Sequence, residues 1–149
     1  MVEHYQFDSI HLYITMENDV ITLIDFEPST HYIEGNKNSR IYKQLKEYFN
    51  GQRKSFDLQI DYRIASPLQK EVWDALLSIE YGKTVSYSEL AQMTSHPSAV
   101  RAVATCVGQN PIPLIIPSHR VILKSGKVGQ FSGGVHIKEK LLEIENEFK

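Results

Sequence analysis

Pro117-Ser118-His119-Arg120 is the stretch of this chain where side chains able to do chemistry stand closest together. A hydroxyl beside an imidazole raises nucleophilic catalysis by a serine with a histidine base. Pro117 fixes the backbone immediately before the serine, which puts Ser118 on a rigid segment. Adjacent side chains of an extended segment point to opposite faces, so Ser118 and His119 are expected not to bond directly, which counts against a serine hydrolase. Upstream, Asn110, Pro111 and Pro113 form a turn that leads into the apolar run Leu114-Ile115-Ile116. Downstream, Gly129-Gln130-Phe131-Ser132-Gly133-Gly134 has the small residues of a loop that can approach a flat ligand closely.

These residues need elements to position them. Ser66-Pro67-Leu68-Gln69 is a helix start, with serine as cap, proline at the first helical position and glutamine to complete a capping box. Leu68, Val72, Leu76 and Ile79 give that helix one apolar face, and Tyr81-Gly82-Lys83 is expected to end it. A short helix capped at Ser86 or Ser88 follows, then a turn over Thr94 to Pro97, then a second helix from Ser98 to Gly108. Two short helices with a brief turn suggest a helix-turn-helix, a weak signal by itself. On the second helix, Ala99, Val100, Val103, Cys106 and Val107 share one side; Ser98, Arg101, Ala102, Thr105, Gly108 and Gln109 share the other. The second face is small and flat, with Arg101 the one long cation. Such a face suits close backbone approach in a shallow or narrow groove better than base reading in the major groove.

The first third reads as a small α/β unit. Ile10 to Thr15 and Val20 to Phe26 have strand composition, with a hairpin turn over Met16 to Asp19. Ile41, Leu45, Tyr48 and Phe49 recur at helical spacing up to Asn50-Gly51. Ser55 to Ile60 is a candidate strand, and Asp61 to Ala65 a link. The expected organisation is an α/β (α+β) fold, with an α/β supporting domain over 1–65 and a mostly helical one over 66–149. The last helix is expected to turn Ile137, Leu141, Ile144 and Phe148 inward.

Composition narrows the function. The chain has 149 residues, 42% hydrophobic and 23% charged, the balance of a globular protein. It has no run long enough to span a bilayer and no signal-like start, so a cytoplasmic location is expected. One cysteine and six singly placed histidines leave neither a disulfide framework nor metal-ligand spacing, and no metal is expected. The net charge of −2 hides an asymmetry. From Tyr81 to Gly134 the cations Lys83, Arg101, Arg120, Lys124 and Lys127 face only Glu89, which favours phosphate partners.

Asn110-Pro111-x-Pro113-x-x-Ile116-Pro117-Ser118-His119-Arg120-Val121 resembles the signature of O6-alkylguanine-DNA alkyltransferases, in which cysteine stands at the position of Ser118. The resemblance extends to Tyr81-Gly82, Ser86-Tyr87, Arg101-Ala102-Val103, Ser132-Gly133-Gly134 and Lys138 to Glu145. It implies a monomeric, cofactor-free protein whose helix-turn-helix binds the minor groove of double-stranded DNA containing O6-alkylguanine. Arg101 would fill the hole left by the flipped nucleotide, with Ser98, Ala102, Thr105 and Arg120 also towards DNA. Tyr87 would help protonate the departing guanine, and Asn110 would hold the turn. Ser118, Val121, Phe131 and Ser132 would surround the base. His119 would act through a water as base towards position 118, oriented by Glu145. Phe131 departs from the tyrosine of some members, so proton donation would rest more on Tyr87.

Serine at 118 changes the expected chemistry. Alkyl transfer needs an anionic, polarisable nucleophile, and a hydroxyl is far less acidic than a thiol with a pKa of about 8.5. A saturated carbon also offers no oxyanion for the protein to stabilise. The expectation is recognition of alkylguanine without transfer. Serine is the near-isosteric exchange used to disarm a cysteine, and an engineered origin is the preferred reading. The alternatives are a natural alkyltransferase-like damage binder and, less favoured, a helix-turn-helix transcription regulator.

Overall fold

In the computed structural model, which describes residues 1–149, the early β-branched and aromatic residues form a meander. Strands β1 (Val2–Phe7), β2 (Ile10–Glu17) and β3 (Val20–Asp25) pair antiparallel, and β4 (Ile33–Glu34) adds in parallel to β1, in the order β3-β2-β1-β4. Asn18 and Asp19 take positive φ of 51° and 65°, the backbone that a two-residue hairpin turn requires. Helix α1 (Arg40–Phe49) is capped by the Ser39 side chain, which accepts from the Tyr42 amide, and is ended by Asn50 and Gly51. Its buried side carries Ile41, Gln44, Leu45 and Tyr48.

Ser55 to Ile60 is not a strand. The Gln44 amide group accepts from Asp57 N–H at 2.9 Å and donates to its carbonyl at 3.0 Å, so a side chain takes bonds that a ladder would use. Only an isolated bridge between Ile21 and Ile60 links this stretch to the sheet.

Helix α2 (Pro67–Leu77) begins with the expected Ser66–Gln69 capping box and proline at its first turn. It ends at Leu77, not at Tyr81: the Ser78 and Ile79 amides bond back to the Ala75 and Leu76 carbonyls in a tightened last turn, and the Ile79 carbonyl beyond it accepts from Arg120 Nη1 at 2.6 Å. Ile79 is still buried. Strand β5 (Val85–Ser86) leads into α3 (Tyr87–Gln92), capped by Ser86 in a second capping box, with Glu89. Thr94 is buried in the turn, and α4 (Val100–Gly108) completes the helix-turn-helix two residues later than Ser98. Trp73 Nε1 donates to the Cys106 carbonyl at 2.8 Å and fixes α4 on α2.

Ser118–Arg120 is a single 3-10 turn rather than extended chain. It leads into β6 (Val121–Ile122), which pairs in parallel with β5 and so holds the turn against α3. Helix α5 (Val135–Phe148) buries Lys138, Leu141 and Glu145; Ile137 and Ile144 are half-buried, and Phe148 is exposed. The inward face is therefore rotated from the apolar stripe, because two charged residues occupy it. One continuous apolar cluster runs from Tyr5 in β1 to Leu141 in α5. No helix is long and apolar enough to cross a membrane.

Candidate functional site

Asn110, at the exit of α4, organises the segment that follows. Its Nδ2 donates to the Ile116 carbonyl at 2.8 Å and to Ser118 Oγ at 3.0 Å, and its Oδ1 accepts from the Ile112 amide at 2.9 Å. Between them the chain reverses at Leu114, a buried residue with φ of 78°, where a non-glycine residue is strained. Burial of the leucine side chain holds this conformation.

Ser118 is only 5% exposed and touches the floor of a cleft of about 780 Å³. Tyr87 and Arg101 line one wall, from the helix-turn-helix, and Gln130, Phe131 and Ser132 line the other, from the Gly-rich loop. Ser98, Arg101, Ala102, Thr105, Gly108 and Gln109 are all exposed, while Val103, Cys106 and Val107 are buried, as the periodicity of α4 predicts. Burial pushes the Tyr87 phenol up, so it holds its proton.

Behind Ser118 lies a buried charged network. Glu145 Oε2 receives Tyr48 Oη at 2.7 Å, His119 Nε2 at 2.6 Å and Arg120 Nη2 at 3.1 Å; Oε1 receives Arg120 Nε at 2.8 Å and the Gly82 amide at 3.3 Å. Burial alone would raise the Glu145 carboxyl, but the hydrogen bonds from His119 and Arg120 and the charge of Arg120 outweigh it and hold Glu145 ionised. Burial holds His119 below its ordinary value despite that carboxylate. A neutral His119 facing an ionised Glu145 carries its proton on Nε2, leaving the Nδ1 lone pair free. His119 Nδ1 is buried and bonds to no protein group, so it can serve as a base towards a small molecule beside it.

The structure brings Ser118, Tyr87, Arg101, Phe131 and Ser132 to one cleft, and sets His119, Glu145 and Asn110 behind its floor. Two predicted residues lie elsewhere. Arg120, grouped above with residues facing DNA, is buried, ion-paired to Glu145 and set 5.7 Å from the Tyr81 ring centre. Its guanidinium is spent on the network, so it is not part of the exposed cationic face. Val121 is fully buried outside the cleft lining, and its carbonyl accepts from Lys138 Nζ at 2.6 Å.

Tyr48 and Lys138 were not foreseen. Tyr48 was legible only as a core residue of α1. Lys138 is fully buried, and its Nζ joins the Val121 carbonyl to that of Gln130, the latter at 3.2 Å. A lysine three residues before Leu141 and seven before Glu145 shares their helix face, a spacing that could have flagged it.

Residues 67–147 match the model of the 6-O-methylguanine DNA methyltransferase DNA-binding domain. The chain is 44% identical over 122 residues to the methylated-DNA–protein-cysteine methyltransferase of Mycobacterium bovis, spanning 80% of this chain and 73% of that protein. It also superposes on the crystal structure of Mycobacterium tuberculosis OGT in complex with DNA, with a TM-score of 0.89 and 36% identity, covering 99% of this chain and 93% of the other. A structure of O6-methylguanine-DNA methyltransferase from Pyrococcus kodakaraensis shares the fold at a TM-score of 0.72 and 21% identity over 97% of each chain. With that identity spread over both halves and the family model matched around the cleft, this chain belongs to the O6-alkylguanine-DNA alkyltransferase family, with Ser118 where the family has its cysteine.

Proposed function

We propose that this chain binds double-stranded DNA through the minor groove, holds a flipped O6-alkylguanine in the cleft above Ser118, and leaves the alkyl group on the base. One observation carries the reading: position 118 sits at the floor of a cleft between a recognition helix and a Gly-rich loop, with the His119–Glu145 pair intact behind it.

The family reaction is a single-turnover transfer. A cysteine thiolate attacks the alkyl carbon, the C–S bond forms as the C–O6 bond breaks, and the electron pair leaves on guanine, which takes a proton. Nothing in that balance calls for a cofactor. With cysteine at 118, Tyr87 would be the proton donor to the departing guanine, and His119 Nδ1 the base towards position 118 through a water. Glu145 fixes the His119 tautomer, and Asn110 fixes the Ser118 side chain. Arg101 enters the duplex where the nucleotide leaves, flanked by Ser98, Ala102 and Thr105. Phe131 and Ser132 border the base. The Ser118 hydroxyl keeps its proton and has no carbonyl to attack, which leaves binding without transfer.

Residues 66–149 act as the DNA-binding alkyltransferase domain and 1–65 as its support; the family match over 67–147 supports that boundary. The protein works as a monomer, and in the cytoplasm, with DNA as its partner. The intact surroundings of Ser118 are what one engineered exchange would leave, and a cysteine codon in the encoding gene is the check.

Ser118→Cys tests the reading. The variant, incubated with duplex carrying one O6-methylguanine, should gain one methyl on residue 118, seen by peptide mass, with no turnover. The parent should stay unmodified, and Cys106, 5% exposed on the core face of α4, should stay unmodified in both. A folded variant that binds damaged DNA but gains no mass identifies a natural damage binder whose cleft has drifted. Modification of Cys106 would put the acceptor elsewhere.

A further inference from the structure

The segment at the end of β3 touches both the turn that leads to the cleft floor and the Gly-rich wall. The Ile24 amide donates to the Pro111 carbonyl at 2.9 Å, in the turn that leads to Ser118. Two residues on, the Phe26 ring packs on the Phe131 ring, with centroids 5.5 Å apart and planes at 56°. The same ring lies close against the Gly-rich backbone: a Cβ on Gly133 would stand 2.7 Å from its Cδ2 and 2.8 Å from its Cγ. The loop therefore rests on Phe26 at Phe131 and Gly133, while Lys138 holds it at the Gln130 carbonyl. Phe131 in turn meets the His119 ring edge-on at 6.5 Å.

We propose that Phe26 is a positioning residue that fixes the Gly-rich wall of the cleft and thereby limits the size of the O6 substituent it accepts. Phe26 does not itself line the cleft; it acts through Phe131 and Gly133, whose positions set the distance between that wall and Ser118. Selectivity for the alkyl group is in this way set from the first 65 residues. The inference rests on the reading of the cleft as an alkylguanine site.

Removing the ring lets the loop retreat, and a large substituent gains more from that space than a methyl does. The test is the affinity of the Ser118 protein for duplexes carrying one O6-benzylguanine, one O6-methylguanine or an unmodified guanine, at matched salt. Phe26→Ala should raise the benzyl-to-methyl affinity ratio by about tenfold, the low end of what a methylene-sized change in an apolar pocket is worth. Phe26→Leu, which refills most of the volume, should return the ratio towards the parent's. Gly133→Ala places a methyl against the Phe26 ring, drives the wall inward and should lower the ratio. The double variant Phe26→Ala/Gly133→Ala should come back near the parent, because the methyl then occupies vacated space. A merely structural role would weaken binding of both substituents alike. An unchanged ratio in Phe26→Ala and Gly133→Ala, with the parent still preferring alkylguanine to guanine, would overturn this inference and leave the proposed function standing. A parent with no preference for alkylguanine would overturn both. Should Phe26→Ala fail to fold, Gly133→Ala alone decides by direction.

Discussion

Replacing Glu145 by glutamine keeps the shape of the side chain and removes the charge on which five donors converge. An amide has one acceptor oxygen, so whichever way it sits, the donors on the other side face an N–H. The largest loss falls on Arg120, a buried cation whose only carboxylate partner is Glu145. Leaving one member of a buried ion pair uncompensated costs about 3–5 kcal/mol, a large part of the roughly 5–15 kcal/mol that holds a domain folded. Urea unfolding should show that loss as a lower midpoint with an unchanged slope. The sign with pH follows from a carboxyl held below its ordinary 4.5: the advantage of the parent over Glu145→Gln is full above 4.5 and shrinks as pH falls below it. Adding Arg120→Met should recover about 1–2 kcal/mol in the Glu145→Gln background, since the orphaned cation is gone, while the same change destabilises the parent. A loss under about 1 kcal/mol for Glu145→Gln, or strictly additive single changes, would refute the view of Glu145 as an ionised hub.

Arg101→Ala should weaken binding to alkylguanine duplexes by about tenfold at matched salt, with stability changed by no more than about 0.5 kcal/mol, because the side chain is exposed and leaves no cavity. Equal affinity of variant and parent would remove the arginine from the interface. Lys138 is pushed down to about 8 by burial from an ordinary 10.5, so between those values the unfolded chain holds a proton that the folded one has shed. Stability should therefore rise with pH across that window, by roughly 2–4 kcal/mol in all, and Lys138→Met should flatten this rise; parallel pH profiles for parent and variant would show that Lys138 is not desolvated.

Local signals in the sequence placed most of the elements. The Ser66–Gln69 capping box, the Asn50-Gly51 stop and the apolar face of α4 act within a turn or two of chain, and each formed as read. What the sequence hid was long-range. Ser55 to Ile60 has strand composition, but its bonds go to Gln44, which no periodicity announces. Helix α2 stops short of Tyr81, and the Ile79 carbonyl just past its end is taken by an arginine 41 residues away. The inward face of α5 departs from its apolar stripe because Lys138 and Glu145, charged residues that ordinarily face solvent, are buried through partners that only the fold supplies. At the candidate site, the turn from Asn110 and the residues lining the cleft were legible through the motif. The burial of Arg120 was not, since a cation beside a phosphate-binding surface is ambiguous until its carboxylate is located.

The bond between Tyr48 and Glu145 joins residues 97 positions apart. A ribosome adding about 5–20 residues per second needs on the order of 5–20 s to travel that distance. The hairpins of β1 to β3 and helix α1 close on neighbours in sequence and can form as they emerge. Tyr48 cannot complete its environment until α5 has been made, and through this interval its hydroxyl lacks the Glu145 carboxylate. A nascent chain stalled before Glu145 thus offers chaperones and proteases a half with its local contacts made and its buried tyrosine unpartnered.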